Sequence, residues 1–197
     1  IAAGDVSVTY DVPAEGGTMT VSAVITDAAG NTSAAGSDSA TLDTTAPEAP
    51  TVSIAEDTDN DGLISAAELS DADPAQVNVT IDLPDGAVVG DRLTITNPDT
   101  STTDVVLSED HIAAGDVSVT YDVPAEGGTM TVSAVITDAA GNTSAAGSDS
   151  ATLDATAPEA PTARLAEDTQ NEGLLNAAEL SDADPAQVKL TVALPYR

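Results

Sequence analysis

Three aspartates at alternate positions, Asp57, Asp59 and Asp61, lead into Gly62, and Glu68 closes the same run at its twelfth position. This is the D-x-D-x-D-G-x5-E spacing of a twelve-residue calcium loop. Calcium takes about six to eight hard oxygens at ~2.3–2.6 Å, and a backbone wrapped around the ion presents them at this spacing. The expected ligands are the carboxylates of Asp57, Asp59 and Asp61, the main-chain carbonyl of Leu63, Ser65 through a water, and both oxygens of Glu68. Gly62 would supply the sharp turn, and Ile64 would anchor the loop to a core. The same residues can also be read as a solvated acidic turn that holds no ion.

A degraded copy follows further along the chain. Asp168, Gly173 and Glu179 are retained, while Gln170 stands for Asp59, Glu172 for Asp61 and Asn176 for Ser65. Oxygen donors survive at each place, but one charge is lost and one arm is longer, so calcium should be held less tightly there. The run entering the first loop, EAPTVSIAE at 48–56, carries a proline and β-branched residues where an EF-hand has a helix. A strand-loop-turn site is expected, without the helix pair that a calmodulin-like switch opens.

A second acidic constellation surrounds the Ala-Pro pair at 46–47. Asp27-Ala28-Ala29-Gly30-Asn31 forms a turn signal, Asp38 and Asp43 precede the pair, and Glu56 and Asp57 follow it. Carboxylates from both sides of so short a connection could share an ion. DAAGN is equally an ordinary β-turn sequence, since Asp, Gly and Asn are standard turn residues.

Long-range repetition defines what must position these groups. Ile1–Asp43 recurs unchanged as Ile112–Asp154, an offset of 111 (112 minus 1), and TAPEAPT at 45–51 returns at 156–162. A unit of that length is the size of an independently folding domain, not of a solenoid repeat. Prolines after each Ala mark extended connectors. The expected division is residues 1–45 as the back of one module, 46–156 as a complete module and 157–197 as the front of the next. The two partial modules together lack a counterpart of 87–111, which reads as a piece of a longer array.

Thirty-four acidic residues stand against four basic ones, a formal charge of −30. Such a polyanion repels phosphate backbones and anionic lipid surfaces, which excludes nucleic acid as a partner and gives no means of membrane insertion. It attracts metal cations, although acidity also serves solubility or a saline setting. There is no cysteine and hence no disulfide, and the only aromatics are Tyr10, Tyr121 and Tyr196. A core of Val, Ile, Leu and Ala under a self-repelling surface would gain from bound divalent cations.

The hydropathy alternates with period two. Met19–Ile25 and Val77–Leu83 are the clearest strands, joined by Val6–Asp11, Ser39–Asp43, Thr51–Ala55, Arg92–Asn97 and Thr103–Ser108. About seven strands per repeat predict an all-β fold of tandem immunoglobulin-like antiparallel sandwiches, lacking the usual disulfide and tryptophan. Only Ala66–Leu69 reads as helix. The lone histidine, His111, is expected in a loop, and no nucleophile elbow, phosphate loop or zinc-protease motif occurs. Three tyrosines cannot line a glycosidase cleft, so no catalytic residues and no small-molecule substrate are expected.

ITDAAGNTSAAGSDSATLDTTAPEAPTV followed by AEDTDNDGLISAAEL resembles the tandem bacterial immunoglobulin-like extender repeats of giant repeats-in-toxin adhesins. The resemblance covers essentially the whole chain. It implies an extracellular, type I-secreted rod at the bacterial surface that serves in biofilm formation, with calcium-bridged linkers joining neighbouring modules of one chain and distal adhesive domains held away from the cell. It also implies linker ligands at Asp27, Asn31 and Asp43, and at Asp138, Asn142 and Asp154. The alternative is a repeated module that binds carbohydrate or a partner protein, which should expose an aromatic or apolar patch.

Overall fold

The computed structural model describes residues 4–69, 76–171, 173–180 and 188–195. The chain divides into two compact units, 1–155 and 156–197. The first opens with an antiparallel hairpin of β1 (Thr18–Ala23) and β2 (Gly36–Thr41). There follow β3 (Thr51–Ile54), β4 (Leu63–Ser65), α1 (Ala66–Leu69), β5 (Gln76–Asp82), β6 (Arg92–Thr96) and β7 (Thr102–Val106). The unit ends with α2 (Glu109–Ala114), β8 (Asp116–Asp122), β9 (Thr129–Thr137) and β10 (Gly147–Asp154). The second unit holds the antiparallel pair β11 (Thr162–Leu165) and β12 (Leu190–Ala193).

Two sheets face one another between residues 51 and 154, in strand orders β3-β5-β8 and β4-β10-β9-β6-β7. Alternate residues of each strand point inward, as the period-two pattern requires. Val52, Ile54, Val77, Val79, Ile81 and Val117 from one sheet bury against Ile64, Leu93, Ile95, Val132, Ile136 and Leu153 of the other. Among the described residues, the buried hydrophobic ones all lie from Val52 to Leu153. This is the all-β sandwich of immunoglobulin type expected from the strand pattern.

The first strand of the sandwich is shared between the sheets. β3 pairs antiparallel with β5, the chain then crosses over through residues 55–62, and β4 joins the other sheet beside β10, the one parallel pairing among the described strands. Gly147, at the start of β10, packs so closely on the Pro50 carbonyl that a Cβ would overlap it. The acidic loop therefore sits at a sheet-to-sheet crossing whose two ends are pinned by ladder hydrogen bonds.

Two expectations are corrected. Val6–Asp11 is not a strand, although the identical residues 117–122 lie in β8. β8 exists because β5 pairs with it from Gln76↔Asp122 to Asp82↔Asp116, and residues 1–45 contain no counterpart of β5. Val6 is consequently 91% exposed where Val117 is 7% exposed. Identical sequence yields different structure here because a strand is a property of a pair.

His111, expected in a loop, lies in α2. Ser108 caps that helix: its Oγ accepts the His111 N–H at 3.3 Å, and His111 Nδ1 accepts the Ser108 N–H at 3.2 Å. Gly115 ends it in the left-handed conformation at φ 82°. Among the described residues, no helix is long and apolar enough to cross a membrane.

Candidate metal centre

The crossing loop curls because two of its residues accept positive φ, Asn60 at 56° and Gly62 at 83°. Left-handed backbone suits glycine and, among the rest, asparagine. The curl turns main-chain N–H groups inward onto Asp57, which is only 6% exposed. Asp57 Oδ1 accepts the Asp61 N–H and Oδ2 the Gly62 N–H, both at 3.0 Å. Asp61 Oδ1 accepts the Leu63 N–H at 2.8 Å. As a result, carboxylate oxygens of Asp57, Asp59 and Asp61 lie within 4.8 Å of one another. Like charges at such range repel by about 1 kcal/mol per pair even in a water-like dielectric, and a divalent cation reverses the sign.

Glu68 stands outside that trio and closes the loop in another way. Its Oε1 accepts the N–H and Oγ1–H of Thr58, each at 3.0 Å, and its Oε2 accepts the N–H and Oγ–H of Ser65 at 2.9 and 2.8 Å. These bonds, those from Ser65 foremost, pull its pKa down to about 2. Ser65, expected to act through a water, thus directs its hydroxyl to Glu68. Leu63 begins β4, and the preceding Gly62 carbonyl accepts the Thr152 N–H at 2.9 Å. Ile64 is fully buried and anchors the loop as expected. Glu56, 4% exposed and grouped by sequence with the linker acids, instead ties the loop to β5, its two oxygens accepting the main-chain and side-chain N–H groups of Asn78 at 2.8 Å.

The degraded loop in the second unit keeps this frame. Asn171 and Gly173 take φ of 55° and 79°, and buried Asp168 accepts the Gly173 N–H at 3.0 Å. Glu179 clasps Thr169 at 3.0 and 3.1 Å and Asn176 at 3.1 and 2.8 Å. Gln170 is exposed, and Glu172 lies outside the described residues. Among the described residues the one carboxylate group close enough for a shared ion is that of Asp57, Asp59 and Asp61.

The linker set is brought together in a different grouping from the one the resemblance implies. Asn142 donates its main-chain N–H to Asp138 Oδ1 at 2.8 Å, and its Nδ2 to Asp138 Oδ2 at 2.9 Å and to the Asp43 carbonyl at 3.2 Å. The Asn142 amide holds the Asp138 carboxyl below its ordinary range. Asp27 makes the equivalent bonds only within its own turn, to Ala29 and Asn31, and is likewise acidified by Asn31. Asp43 therefore meets the DAAGN turn of the following repeat. Asp154 sits at the end of β10 opposite Ser65.

Asp43, Glu48, Asp85, Asp91 and Asp138 line one cavity of about 530 Å³ at this junction, with no basic residue among its walls. Asp91 is 2% exposed, and its Oδ2 accepts the Val88 N–H at 3.0 Å. Glu48, Asp85 and Asp91 were not anticipated. Asp85 belongs to the PDG run, which sequence reads only as a turn, and Asp91 is the residue before β6. No family model matches the chain, and no curated protein matches it.

Proposed function

We propose that the chain is a stretch of calcium-stiffened spacer modules from a secreted bacterial surface adhesin, and that it does no catalysis. The observation that carries this reading is the junction: acids from the end of one repeat and from three loops of the next converge on a single cavity without a counter-charge. The acids around this cavity repel one another without forming one ligand cluster, and divalent cations drawn to the assembled junction would relieve that repulsion and stabilise it by mass action. The Asp57–Asp61 loop supplies a second cation position inside the module, at the crossing that ties both sheets together. Near-identity of successive repeats suits a part whose length matters more than any one surface. The export route and the surface location rest on the family resemblance of the sequence.

Small-angle scattering of residues 1–197 with calcium and with chelator tests the reading. Chelation should broaden the distance distribution and lower the melting temperature. A distribution and a melting temperature that both ignore calcium would sink it.

A further inference from the structure

The module has one aromatic side chain, Tyr121, and it lines a cavity of about 560 Å³. This lies at the end of the sandwich away from the acidic junction, between the β6–β7 turn and β8. The volume falls in the ~300–1,000 Å³ range of small-ligand sites. The apolar floor is Val119 and Met130, with Asp99 and Asp122 among the walls and no basic residue. The tyrosine is fixed in place: its hydroxyl donates to Asn97 Oδ1 at 2.7 Å, while Asn97 Nδ2 donates to Ser101 Oγ and Thr103 Oγ1, each at 3.0 Å. Asp99 Oδ1 accepts the N–H and Oγ–H of Ser101, its carboxyl also takes its own backbone N–H, and the Asp122 carboxylate accepts no hydrogen bond from another described residue.

We propose that this cavity receives a cationic side chain, arginine or lysine, presented by a basic segment of a partner protein. The chemistry of each wall matches one part of such a group. An aliphatic stem fits the Val119 and Met130 floor, a guanidinium or ammonium is attracted by the face of an aromatic ring, and two carboxylates flank the charge. The charge of the whole chain, −30, adds steering toward cations and repels anions. The proximity of Asp99 already raises the Tyr121 pKa, second to burial, so the negative field reaches the ring. The chain cannot readily supply the occupant itself, having four basic residues in 197. The same Tyr-Asp pair recurs as Tyr10-Asp11, but Asn97, Asp99, Ser101 and Thr103, which complete the cavity, have no counterpart in residues 1–45. This inference is independent of calcium at the junction.

The test is an NMR titration of isotope-labelled residues 1–197 with three probes: N-acetyl-arginine amide, its neutral analogue N-acetyl-citrulline amide, and N-acetylglucosamine. The arginine probe should give saturable shifts at Asn97, Asp99, Tyr121 and Asp122 that weaken with added salt, and the citrulline probe should not. The exposed double variant Asp99→Asn/Asp122→Asn, which leaves the core intact, should weaken arginine binding about tenfold. Tyr121→Phe keeps the ring and should retain most of the binding. Equal response to citrulline, no shifts in the cavity, or preferential binding of N-acetylglucosamine would each overturn the proposal, the last in favour of a saccharide site.

Discussion

The side-chain amide of Asn142 donates to the main-chain carbonyl of Asp43 at 3.2 Å, across 99 positions of sequence. One donor group thus serves two purposes, since the same Nδ2 also holds Asp138. Asn142→Ala should free the junction while the core, built from Val52 to Leu153, stays folded. Backbone relaxation at residues 43–48 should then report faster local motion and the far-ultraviolet spectrum should be unchanged. Unaltered relaxation at the junction would show that this contact does not restrain it.

Calcium should bind the Asp57–Glu68 loop with a dissociation constant on the order of 10⁻⁴ M or somewhat tighter, the range of extracellular modules. Asp57→Asn combined with Asp61→Asn should abolish that event in calorimetry, since two of the three clustered carboxylates are lost. The loop at Asp168 should take up calcium more weakly. Calorimetry that detects no binding at millimolar calcium would remove the loop reading.

Glu68 gives the loop a pH signature in the presence of chelator. Its folded pKa is about 2 against an ordinary 4.5, so the carboxylate favours the fold. For a depressed carboxyl pKa the stabilisation is complete above the unfolded value and is lost as pH falls through the folded one. The melting temperature of wild type should exceed that of Glu68→Gln above pH 4.5, and the gap should close as pH approaches about 2. A gap independent of pH would show that the clasp works by shape alone.

How much of this was legible in the sequence depends on the range of the interaction. The inward alternation of Val77, Val79 and Ile81 is local and was read correctly, as were the single turn at Ala66–Leu69 and the burial of Ile64. Val6–Asp11 was misread because its pattern was right and its partner strand was absent. The helix at Glu109–Ala114 had a local signal, a capping serine, two acids in the first turn and a closing glycine, which the strand reading of Thr103–Ser108 obscured. At the acidic loop the spacing placed three aspartates together but did not show Glu68 engaged by Thr58 and Ser65. Asp85 and Asp91 could not be assigned to the junction, because only the folded β5–β6 connection carries them to Asp43.

Ile64→Ala should test whether the loop depends on the core beneath it. Ile64 is fully buried, and truncating such a residue typically costs about 2–5 kcal/mol. Calcium affinity should fall along with stability, since the loop loses its anchor. Chemical denaturation and calorimetry on the same sample measure both, and full affinity in a destabilised protein would separate loop from core.

Gly147→Ala should destabilise the fold by roughly 1–3 kcal/mol, the usual cost of overpacking, because the new methyl group meets the Pro50 carbonyl. The affected contact joins the beginning of the module to its last strand. A thermal unfolding curve identical to wild type would mean that the two segments part easily.

The parallel pairing of β4 with β10 has a mechanical consequence. β4 continues the chain after its crossing from β3, the entering strand, and β10 is the last strand of the module, the two aligned from Thr152↔Leu63 to Asp154↔Ser65. When the two ends of a module are pulled apart, parallel neighbours slide along one another, so their hydrogen bonds are loaded together in shear and do not peel open one at a time. The acidic loop lies immediately before β4, in line with the tension, where a bound ion would bear load in series with that short ladder. Because Ile64 of β4 and Leu153 of β10 belong to the core, shearing this ladder also strips apolar side chains from the interior, so the two resistances act together.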